Sequence, residues 1–323
     1  MQTLDEFALI DRIEANLRRG GAPPASESPG VVLGIGDDAA VLRPRAGHDI
    51  VVSTDSVVEG VHFRFDWEGA TSIGRRALTA ALSDLAAMGA RPLGAVVGLA
   101  APPGLELAQV DRLARGLGAT ARLHGCAIVG GNVSRSRDCS LAITVVGEVV
   151  RGRALLRSAA RPGDRICVTG QLGRSALARE RARIAGARIR HQPAARIDAG
   201  RALARLPGVG ACIDVSDGLA GDLAHLLRAS DCGAEIEATR VPRTAGFDAA
   251  CRRLALDPLA IALCGGDDYE LLFTVRPKAP SAAQLTKRLG VVVTELGRTT
   301  RARAVKGLEW LRGATGHRHF GRP

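Results

Sequence analysis

The stretch CIDVSDGLAGDLAHLL, residues 212–227, joins an apolar run to an amphipathic run through an acidic turn. The apolar residues before Asp214 predict a strand that ends at this aspartate, and the spacing of the leucines that follow predicts a helix over 219–229. Helix N-termini favour anions, so Asp217 has an ordinary interpretation as a cap of this helix. Asp214 lies at the strand end, where capping does not explain it, and is therefore a candidate for the site chemistry.

The same alternation of short apolar runs and longer amphipathic runs continues outward from this stretch and predicts a mixed α/β or α+β architecture. The other predicted helices cover residues 4–19, 71–88, 105–124, 172–185 and 194–205. The other predicted strands cover residues 31–35, 50–54, 93–100, 140–150, 165–170, 234–237, 270–276 and 291–297. The segment 151–164 has no clear apolar period and contains Pro-Gly, so we expect two domains, 1–150 and 151–323.

The composition is that of a globular protein, with 46% hydrophobic residues and a mean hydropathy of +0.08. No apolar run approaches the ~18 residues that a membrane-spanning helix needs. The N-terminal segment carries acids and lacks the apolar core of a signal peptide, so we expect a cytoplasmic protein without a membrane partner. The seven cysteines form no CxxC pair, which favours reduced, mostly buried thiols over disulfides or zinc ligands.

The formal net charge of +11 raises the question of nucleic-acid binding. Aromatic residues make up only 3% of the chain, which leaves few platforms for base stacking. Only three of the 44 basic residues are lysines, and the arginines are scattered over predicted helix surfaces. We therefore expect no nucleic-acid partner, although the positive charge helps to steer anionic phosphate compounds.

Acidic residues, in contrast, are gathered in short clusters bordered by Gly, Ser and Thr. In GIGDDAAVL the adjacent Asp37 and Asp38 repel each other, and at ~4 Å and an effective dielectric near 20 two like charges cost about 4 kcal/mol. A divalent cation would remove that cost. The alternative is a solvated Asp-Asp turn, which this motif alone favours.

In VVSTDSVVEGVHF a strand delivers Ser53, Thr54 and Asp55 in succession. These are hard oxygen donors of the kind that Mg²⁺ binds, but Ser, Thr and Asp also cap turns and helices, and the two interpretations are about even. His62 lies between Val61 and Phe63, where by itself it is better explained as a core histidine.

Asp84, in ALTAALSDLAAMGARP, shares a predicted helix face with alanines and would need a partner if buried. The alternative is that it caps a short helix starting at Leu85. In AIVGGNVSRS, Gly130 and Gly131 either form an ordinary turn or let the backbone approach phosphate oxygens.

In LCGGDDYELLFTV three acids within four residues precede a strand, where they either serve a site or discourage edge-to-edge aggregation. Taken together, the acidic clusters predict a polyacidic pocket in which several Mg²⁺ ions bridge a nucleotide and an acceptor phosphate. The sequence contains no GxxxxGK[ST], no GxGxxG after a strand and no HRD/DFG pair, so the nucleotide must be bound by another scheme.

The motifs GIGDDAAVL, STDSVVEGVHF, SDLAAMGARP, GGN, GRALLRSAARPGD, DVSDGLAGDL and GGDDYELLFT resemble, in the same order, those of the thiamine-monophosphate kinase family. That family is part of the superfamily of aminoimidazole-ribonucleotide synthetase and selenophosphate synthetase. The resemblance implies that superfamily's two-domain fold, with an N-terminal β-rich domain that binds ATP and Mg²⁺ and dimerises. It also implies a C-terminal α/β domain that completes the ATP cleft, and direct transfer of the ATP γ-phosphate to thiamine phosphate without a catalytic nucleophile.

Carried over residue by residue, the resemblance implies three sets of site residues. The implied Mg²⁺ ligands are Asp38, Ser53, Thr54, Asp55, Asp84, Asn132, Asp214 and Asp217. The implied ATP contacts are Gly131, Asn132, Arg157 and Ser216. The implied thiamine-side residues are His62, Asp267 and, at the C-terminus, Phe320 or His317.

The chain departs from the family pattern at Asn132, where many members have Asp, and at Asp267, where members often have Glu. The first change removes a negative charge from one Mg²⁺ site, and the second shortens the reach to the substrate. The alternative function is therefore a nucleotide-binding relative with another phosphoryl acceptor or impaired catalysis.

Overall fold

The structure, a computed structural model, describes residues 6–308 and confirms the predicted mixed α/β architecture. The helices are α1 (Glu6–Gly20), α2 (Ala70–Ala87), α3 (Leu107–His124), α4 (Arg174–Ala185), α5 (Ile197–Arg205), α6 (Leu219–Ala229), α7 (Phe247–Arg253), α8 (Pro258–Cys264) and α9 (Ala282–Leu289). The strands are β1 (Val31–Leu33), β2 (Val41–Leu42), β3 (His48–Val58), β4 (Arg91–Ala101), β5 (Ala127–Arg135), β6 (Ser140–Val150), β7 (Arg165–Thr169), β8 (Val209–Asp214), β9 (Gly233–Ile236), β10 (Leu271–Val275), β11 (Val293–Thr300) and β12 (Val305–Lys306).

The chain divides into two compact units, and each unit includes one short segment from the half of the sequence that otherwise forms the other unit. The first unit holds the chain up to Leu85 together with residues 91–152 and 188–192. The second unit holds residues 86–90 and 153–187 and the chain from Pro193 onward.

The first unit is built on a four-stranded sheet in the order β3-β6-β4-β5, in which only the β4–β5 pair is parallel. Successive side chains of a strand point to opposite faces, so each strand has a buried and an open set. On β6 the buried set is Leu141, Ile143 and Val145. Leu85 of α2 packs against this strand at Gly147, which places the helices on the buried face.

Helix α1 is fastened to α3 by a small polar network around Asp111. The Asp111 carboxylate accepts from Arg12 at 2.6 and 2.8 Å and from the Asn16 amide at 2.9 Å. Arg115 of α3 donates to the Asn16 side-chain oxygen at 2.9 Å, which closes the network. This contact fixes α1 beside α3, where both helices line the cavity described below.

The second unit is built on a six-stranded sheet in the order β12-β9-β11-β7-β10-β8. All pairs are antiparallel except β12–β9. Its core packs α6 to α8 against the sheet through Leu219, Leu223, Phe247 and Ala262. Leu271 at the start of β10 pairs with Asp214 at the end of β8, so the acidic loops that follow β8 and precede β10 leave the sheet side by side.

Several local expectations are corrected by the structure. Gly130 and Gly131 do not form a turn, because both lie within β5 and pair with Val96 and Val97 of β4. Asp84 lies in the last turn of α2, so the alternative of a separate helix starting at Leu85 is wrong. Helices α7, α8 and α9 were not predicted, because seven or eight residues are too few for a clear apolar period.

All seven cysteines lie among the described residues, and all but the half-buried Cys264 are buried, which confirms the expectation of mostly buried thiols. Burial raises the pKa of Cys126 to about 12. Such thiols stay protonated near neutral pH and are poor nucleophiles. Within residues 6–308, no helix combines the length and the apolar character that crossing a bilayer would require.

Candidate active site

In the second unit, the acidic turn after β8 is organised around the carboxylate of Asp222. Its Oδ2 accepts from the backbone N–H groups of Ser216 and Asp217, both at 3.0 Å. Asp214 is 3% exposed and Asp222 is 2% exposed. Burial, and after it the negative charges of Asp214 and Asp217, raise the pKa of Asp222 to about 8. The carboxylates of Asp214, Asp217 and Asp222 therefore lie close enough to interact electrostatically.

The loop before β10, GGDDY, is pinned to this turn by backbone hydrogen bonds. The N–H of Asp267 donates to the Ser216 carbonyl at 2.8 Å, and the N–H of Tyr269 donates to the Val215 carbonyl at 2.9 Å. The two loops predicted separately from the sequence thus form one continuous layer in this unit.

The next two acids of the loop are buried and fully engaged. Asp268 accepts from the backbone N–H of Gly173 at 2.6 Å, and burial raises its pKa to about 7. Glu270 forms a two-point ion pair with Arg196 at 2.6 and 2.5 Å and accepts from the Thr169 hydroxyl at 2.7 Å. Because of these contacts, we interpret Asp268 and Glu270 as structural residues that hold the loop in place. Asp267, in contrast, is half-exposed.

In the first unit, Ser53 and Asp84 meet directly, since the Ser53 hydroxyl donates to Asp84 Oδ2 at 2.5 Å. Strand alternation puts Ser53 and Asp55 on the helix-covered face of β3 and puts Thr54 on the open face. The Thr144 hydroxyl donates to that of Thr54 at 3.1 Å on the open face. The run Ser53 to Asp55 is therefore divided between the two faces of the sheet.

A cavity of about 900 Å³ opens in the first unit between α1, α3 and the β4–β5 side of the sheet. Asp38, Gly131 and Asn132 all line it, together with the apolar Ile13 and Leu113. The structure thus brings the GIGDD turn and the GGN motif to one cavity. Its mixed wall of acids and apolar side chains suits a ligand with a polar and an apolar part.

The strand order separates this cavity from Asp55. β3 and β5 are the two edges of the sheet, three strand spacings apart, which amounts to roughly 14 Å. One Mg²⁺ binds its ligands at about 2.1 Å, so Asp55 and Asn132 of one chain do not share an ion. The first unit therefore holds two separate groups of candidate ligands.

Gly131 is required where it is by the close approach of β4. A Cβ at this position would lie 2.2 Å from the Val97 carbonyl oxygen. Only glycine fits such a strand position, which explains a glycine in the interior of a β-strand.

His62 and Arg157 differ in how they are held. The His62 Nδ1 accepts from the Val58 N–H at 3.1 Å, and its carbonyl accepts from Arg76, which pairs with the buried Glu68. The Arg157 side chain is exposed, while its carbonyl accepts from the Ser230 hydroxyl at 2.7 Å. Phe320 and His317 lie outside the described residues.

The residues present fit Mg²⁺ bound together with phosphate groups. Among residues 6–308, no three His, Cys, Asp or Glu side chains are already gathered as a closed metal cage. Mg²⁺ does not need one, because it is usually bound by one or two carboxylates, waters and substrate phosphates. The close Asp214, Asp217 and Asp222 and the Ser53–Asp84 pair are oxygen donors of this kind.

Sequence reasoning did not assign a site role to Asp222, Arg179 or Arg196. Asp222 could have been found from its position, because an acid in the first turn of a helix is well placed to bind the backbone N–H groups that precede it. The two arginines lie 88 and 74 positions from the acids that they pair with, Asp267 and Glu270, and no local pattern signals such contacts.

The comparisons with known proteins agree over the whole chain. Residues 36–149 match the AIR synthase related protein N-terminal domain, and residues 161–308 match the corresponding C-terminal domain. A thiamine-monophosphate kinase of Mycobacterium tuberculosis (strain ATCC 25618 / H37Rv) is 36% identical over 332 residues, which cover 100% of this chain and 94% of the relative.

Solved structures give the same answer. The crystal structure of the thiamine-monophosphate kinase from Stenotrophomonas maltophilia K279a matches with a TM-score of 0.80 and 36% identity, covering 94% of this chain and 96% of the other. A structure described as "AaThiL complexed with AMPPCP and TMP" matches with a TM-score of 0.73 and 29% identity, covering 99% and 98%. The chain therefore belongs to the thiamine-monophosphate kinase family, within the AIR synthase related proteins.

Proposed function

We propose that this chain transfers the γ-phosphate of ATP to thiamine phosphate in a Mg²⁺-dependent reaction that yields thiamine diphosphate and ADP. Family membership over the full chain supports the reaction, and a relative binds AMPPCP, an ATP analogue, together with TMP. The observation that carries the proposal is the layer formed by the turn after β8 and the loop before β10, where the family's acidic motifs are held together by backbone hydrogen bonds.

We assign the metal ligands to two sets. The first unit contributes Asp38, Ser53, Thr54, Asp55, Asp84 and Asn132, and the second contributes Asp214 and Asp217. Bound Mg²⁺ would neutralise phosphate charge as the γ-phosphoryl group moves. The chain's own part is to hold these oxygens in place, which Ser53 does for Asp84 and Asp222 does for the turn that carries Asp217.

We assign ATP contacts to Gly131, Asn132, Arg157 and Ser216. Gly131 and Asn132 line the cavity of the first unit. The exposed guanidinium of Arg157 is able to bind phosphate oxygens in two-point geometry. No protein nucleophile is required for direct transfer, and the buried, protonated cysteines offer none.

We assign the thiamine side of the site to His62 and Asp267, and the C-terminal Phe320 stays a prediction. His62 accepts the Val58 N–H at Nδ1, which orients its ring and, when the ring is neutral, puts its proton on Nε2. Asp267 offers carboxylate oxygens at a half-exposed position.

We also propose that the first unit dimerises through the open face of its sheet. Ile50, Val52 and Val96 on this face are 46%, 61% and 38% exposed. A second copy would bury this apolar surface, and apolar burial is the main driving force of association. The division of roles between residues 1–150 and 151–323 and the cytoplasmic location stay predictions.

The decisive experiment is to incubate the purified protein with ATP, thiamine phosphate and Mg²⁺ and to follow thiamine diphosphate and ADP. Equal amounts of both products, abolished by EDTA and restored by Mg²⁺, are expected. ADP formation with another acceptor, or nucleotide binding without product, would instead favour a relative with a different or impaired reaction, which the loss of charge at Asn132 motivates.

A further inference from the structure

A buried ion pair joins the start of α2 to the loop that carries His62. Glu68, in the turn before α2, is fully buried, and the Arg76 side chain is only 9% exposed. Arg76 Nη2 donates to Glu68 Oε2 at 2.9 Å. Because taking two charges out of water is costly, such a pair is weak evidence for stability and calls for another explanation.

The same nitrogen of Arg76 provides that explanation, because it also donates to the backbone carbonyl of His62 at 2.8 Å. The His62 N–H donates to the Val58 carbonyl at 2.8 Å, and the His62 Nδ1 accepts from the Val58 N–H at 3.1 Å. Val58 is the last residue of β3, so these two bonds attach His62 to the strand, whereas Arg76 attaches it to α2. His62 is therefore held by two different elements.

The attachment to α2 matters because this helix also carries Asp84. Asp84 lies about two turns beyond Arg76, which is roughly 12 Å along the helix axis. Arg76 thus fixes a proposed substrate-side residue relative to a proposed metal ligand. In phosphoryl transfer, catalysis depends mainly on such positioning of the acceptor and on charge neutralisation.

Arg76 is itself oriented by its neighbours along the chain. Ser72 and Arg76 are four residues apart on α2, so they lie on one face of the helix, and Glu68 lies one turn before them. The Ser72 hydroxyl donates to Glu68 Oε1 at 2.6 Å, while Oε2 accepts from Arg76. Both oxygens of the buried carboxylate are therefore fixed, and with them the guanidinium.

A further layer of contacts comes from a segment that is far away in the sequence. Residues 188–192 belong to the first unit. Gln192 Nε2 donates to the Ser72 hydroxyl, and the Ile189 N–H donates to the Trp67 carbonyl at 2.8 Å. The turn before α2, which carries Glu68, is therefore held both by α2 and by this segment.

We infer that Arg76, oriented by Glu68 and Ser72, is a positioning residue that holds His62 in place for thiamine phosphate. This inference rests on the proposed function and deepens it. Arg76 is buried and donates to a backbone carbonyl, so it acts through His62 and not by touching the substrate. Loss of Arg76 therefore weakens the use of thiamine phosphate and leaves the binding of ATP unchanged.

The main test removes the ion pair as a whole, because removing one partner would leave an unpaired buried charge. In the double variant Glu68→Gln, Arg76→Met neither charge remains, and the His62 carbonyl loses its bond from Arg76. The kcat/KM for thiamine phosphate should fall by about tenfold, the size of one lost hydrogen bond to a charged group, while KM for ATP stays near the wild-type value. Arg76→Lys keeps the charge but not the fork of donors, so it should lose less.

A double-mutant cycle with His62→Ala separates positioning from a purely structural role. His62→Ala removes the ring but keeps the backbone carbonyl that accepts from Arg76. Because Arg76 is proposed to act through His62, removing the ion pair from the His62→Ala protein should cause little further loss of kcat/KM for thiamine phosphate. If the tenfold loss is repeated in that protein, the ion pair serves the fold alone and the inference is wrong.

The matched control is Arg75→Met, because Arg75 is the exposed neighbour of Arg76 on α2 and should be replaceable without change. Thermal unfolding is measured for every variant, and Arg76→Lys decides if the double variant does not fold. Where turnover is too slow to measure, the Kd for thiamine phosphate takes its place. Unchanged kinetics in the folded variants, an equal change for ATP and thiamine phosphate, or a His62→Ala protein that behaves like the wild type would overturn the inference and leave the kinase intact. A wild type that forms no thiamine diphosphate would overturn the proposed function and this inference together.

Discussion

The candidate acids of the two units are held in different ways. In the second unit, Asp222 and Asp268 are buried and accept backbone N–H groups, so their loops are fixed by the protein itself. In the first unit, Asp37 and Asp38 are exposed, and the Asp38 N–H donates to the side chain of Asp37 rather than to another element. The acidic turn and loop of the second unit are therefore preformed, whereas within residues 6–308 no comparable long-range hydrogen bond anchors the acids of the GIGDD turn in the first unit.

This difference says where a bound cation has most to contribute. Preformed loops lose little freedom on binding, whereas an exposed turn must be ordered. Asp84 stands between these extremes, because the Ser53 hydroxyl fixes it while it stays half-buried. The following predictions test this contrast.

The largest effect is expected for Asp84→Asn. The amide keeps an oxygen that accepts from Ser53, so the fold should survive, but it removes the charge that we propose binds a metal ion. Turnover should fall by at least ~100-fold, with the unfolding temperature near that of the wild type. The control Asp198→Asn replaces a helical acid whose side chain is 94% exposed, and it should leave turnover and the unfolding temperature unchanged. Normal turnover in Asp84→Asn would remove Asp84 from the metal site.

A smaller effect is expected for Arg157→Met. The exposed guanidinium is proposed to bind phosphate oxygens of ATP, and losing one charge-assisted contact should raise KM for ATP by about tenfold. The nearby exposed Arg153→Met serves as the control. An equal rise in both variants would show that net positive charge, and not a specific contact, attracts the nucleotide.

The preformed turn of the second unit should carry a pH signature in the absence of Mg²⁺. The pKa of Asp222 is raised from 3.8 to about 8, so the folded state binds its proton more tightly than the unfolded state. The resulting stability is present at low pH and is lost as the pH rises through the folded pKa. Asp268, raised to about 7, acts in the same direction.

The measurement is the unfolding temperature between about pH 5 and pH 8.5 for the wild type and for Asp222→Asn. The wild type should lose stability on going to the higher pH, and the variant should lose less, because its neutral amide does not titrate. The slope that Asp268 contributes remains in both. If the unfolding temperatures of the wild type and the variant changed in parallel with pH, Asp222 would be ionised over the whole range. Its pKa would then not be raised by its burial and by the neighbouring carboxylates.

Much of the fold could be predicted from the sequence because its elements are long and regular. The predicted strand 140–150 coincides with β6, and the predicted helix 71–88 differs from α2 by one residue at each end. Errors arose where a local signal has two meanings. Glycine usually marks a turn, but Gly131 is needed inside a strand because β4 approaches too closely for any side chain.

The candidate site was less predictable, because its residue types are visible in the sequence but its contacts are not. The acidic motif before β10 identifies Asp267 as a candidate, but no residue close to it in sequence indicates that Arg179 is its partner. Likewise, three consecutive donors from Ser53 to Asp55 suggest one ligand set, whereas strand alternation sends Thr54 to the other face. The roles of these residues stay predictions.

The smallest effect is expected for Asn132→Asp, which adds a charge to the exposed part of the first unit. Asn132 shares its cavity with Asp37 and Asp38, so a third carboxylate there should bind Mg²⁺ more tightly. The Mg²⁺ concentration for half-maximal rate should fall by a few-fold, on the order of one added surface charge interaction. Without Mg²⁺ the same change adds repulsion and should lower the unfolding temperature slightly. Asn132→Ser adds no charge, so it should neither lower the Mg²⁺ requirement nor lower the unfolding temperature. If the Mg²⁺ requirement does not move, the ions are held by the other ligands, and the contrast between a preformed and a cation-ordered unit would rest on Asp38 alone.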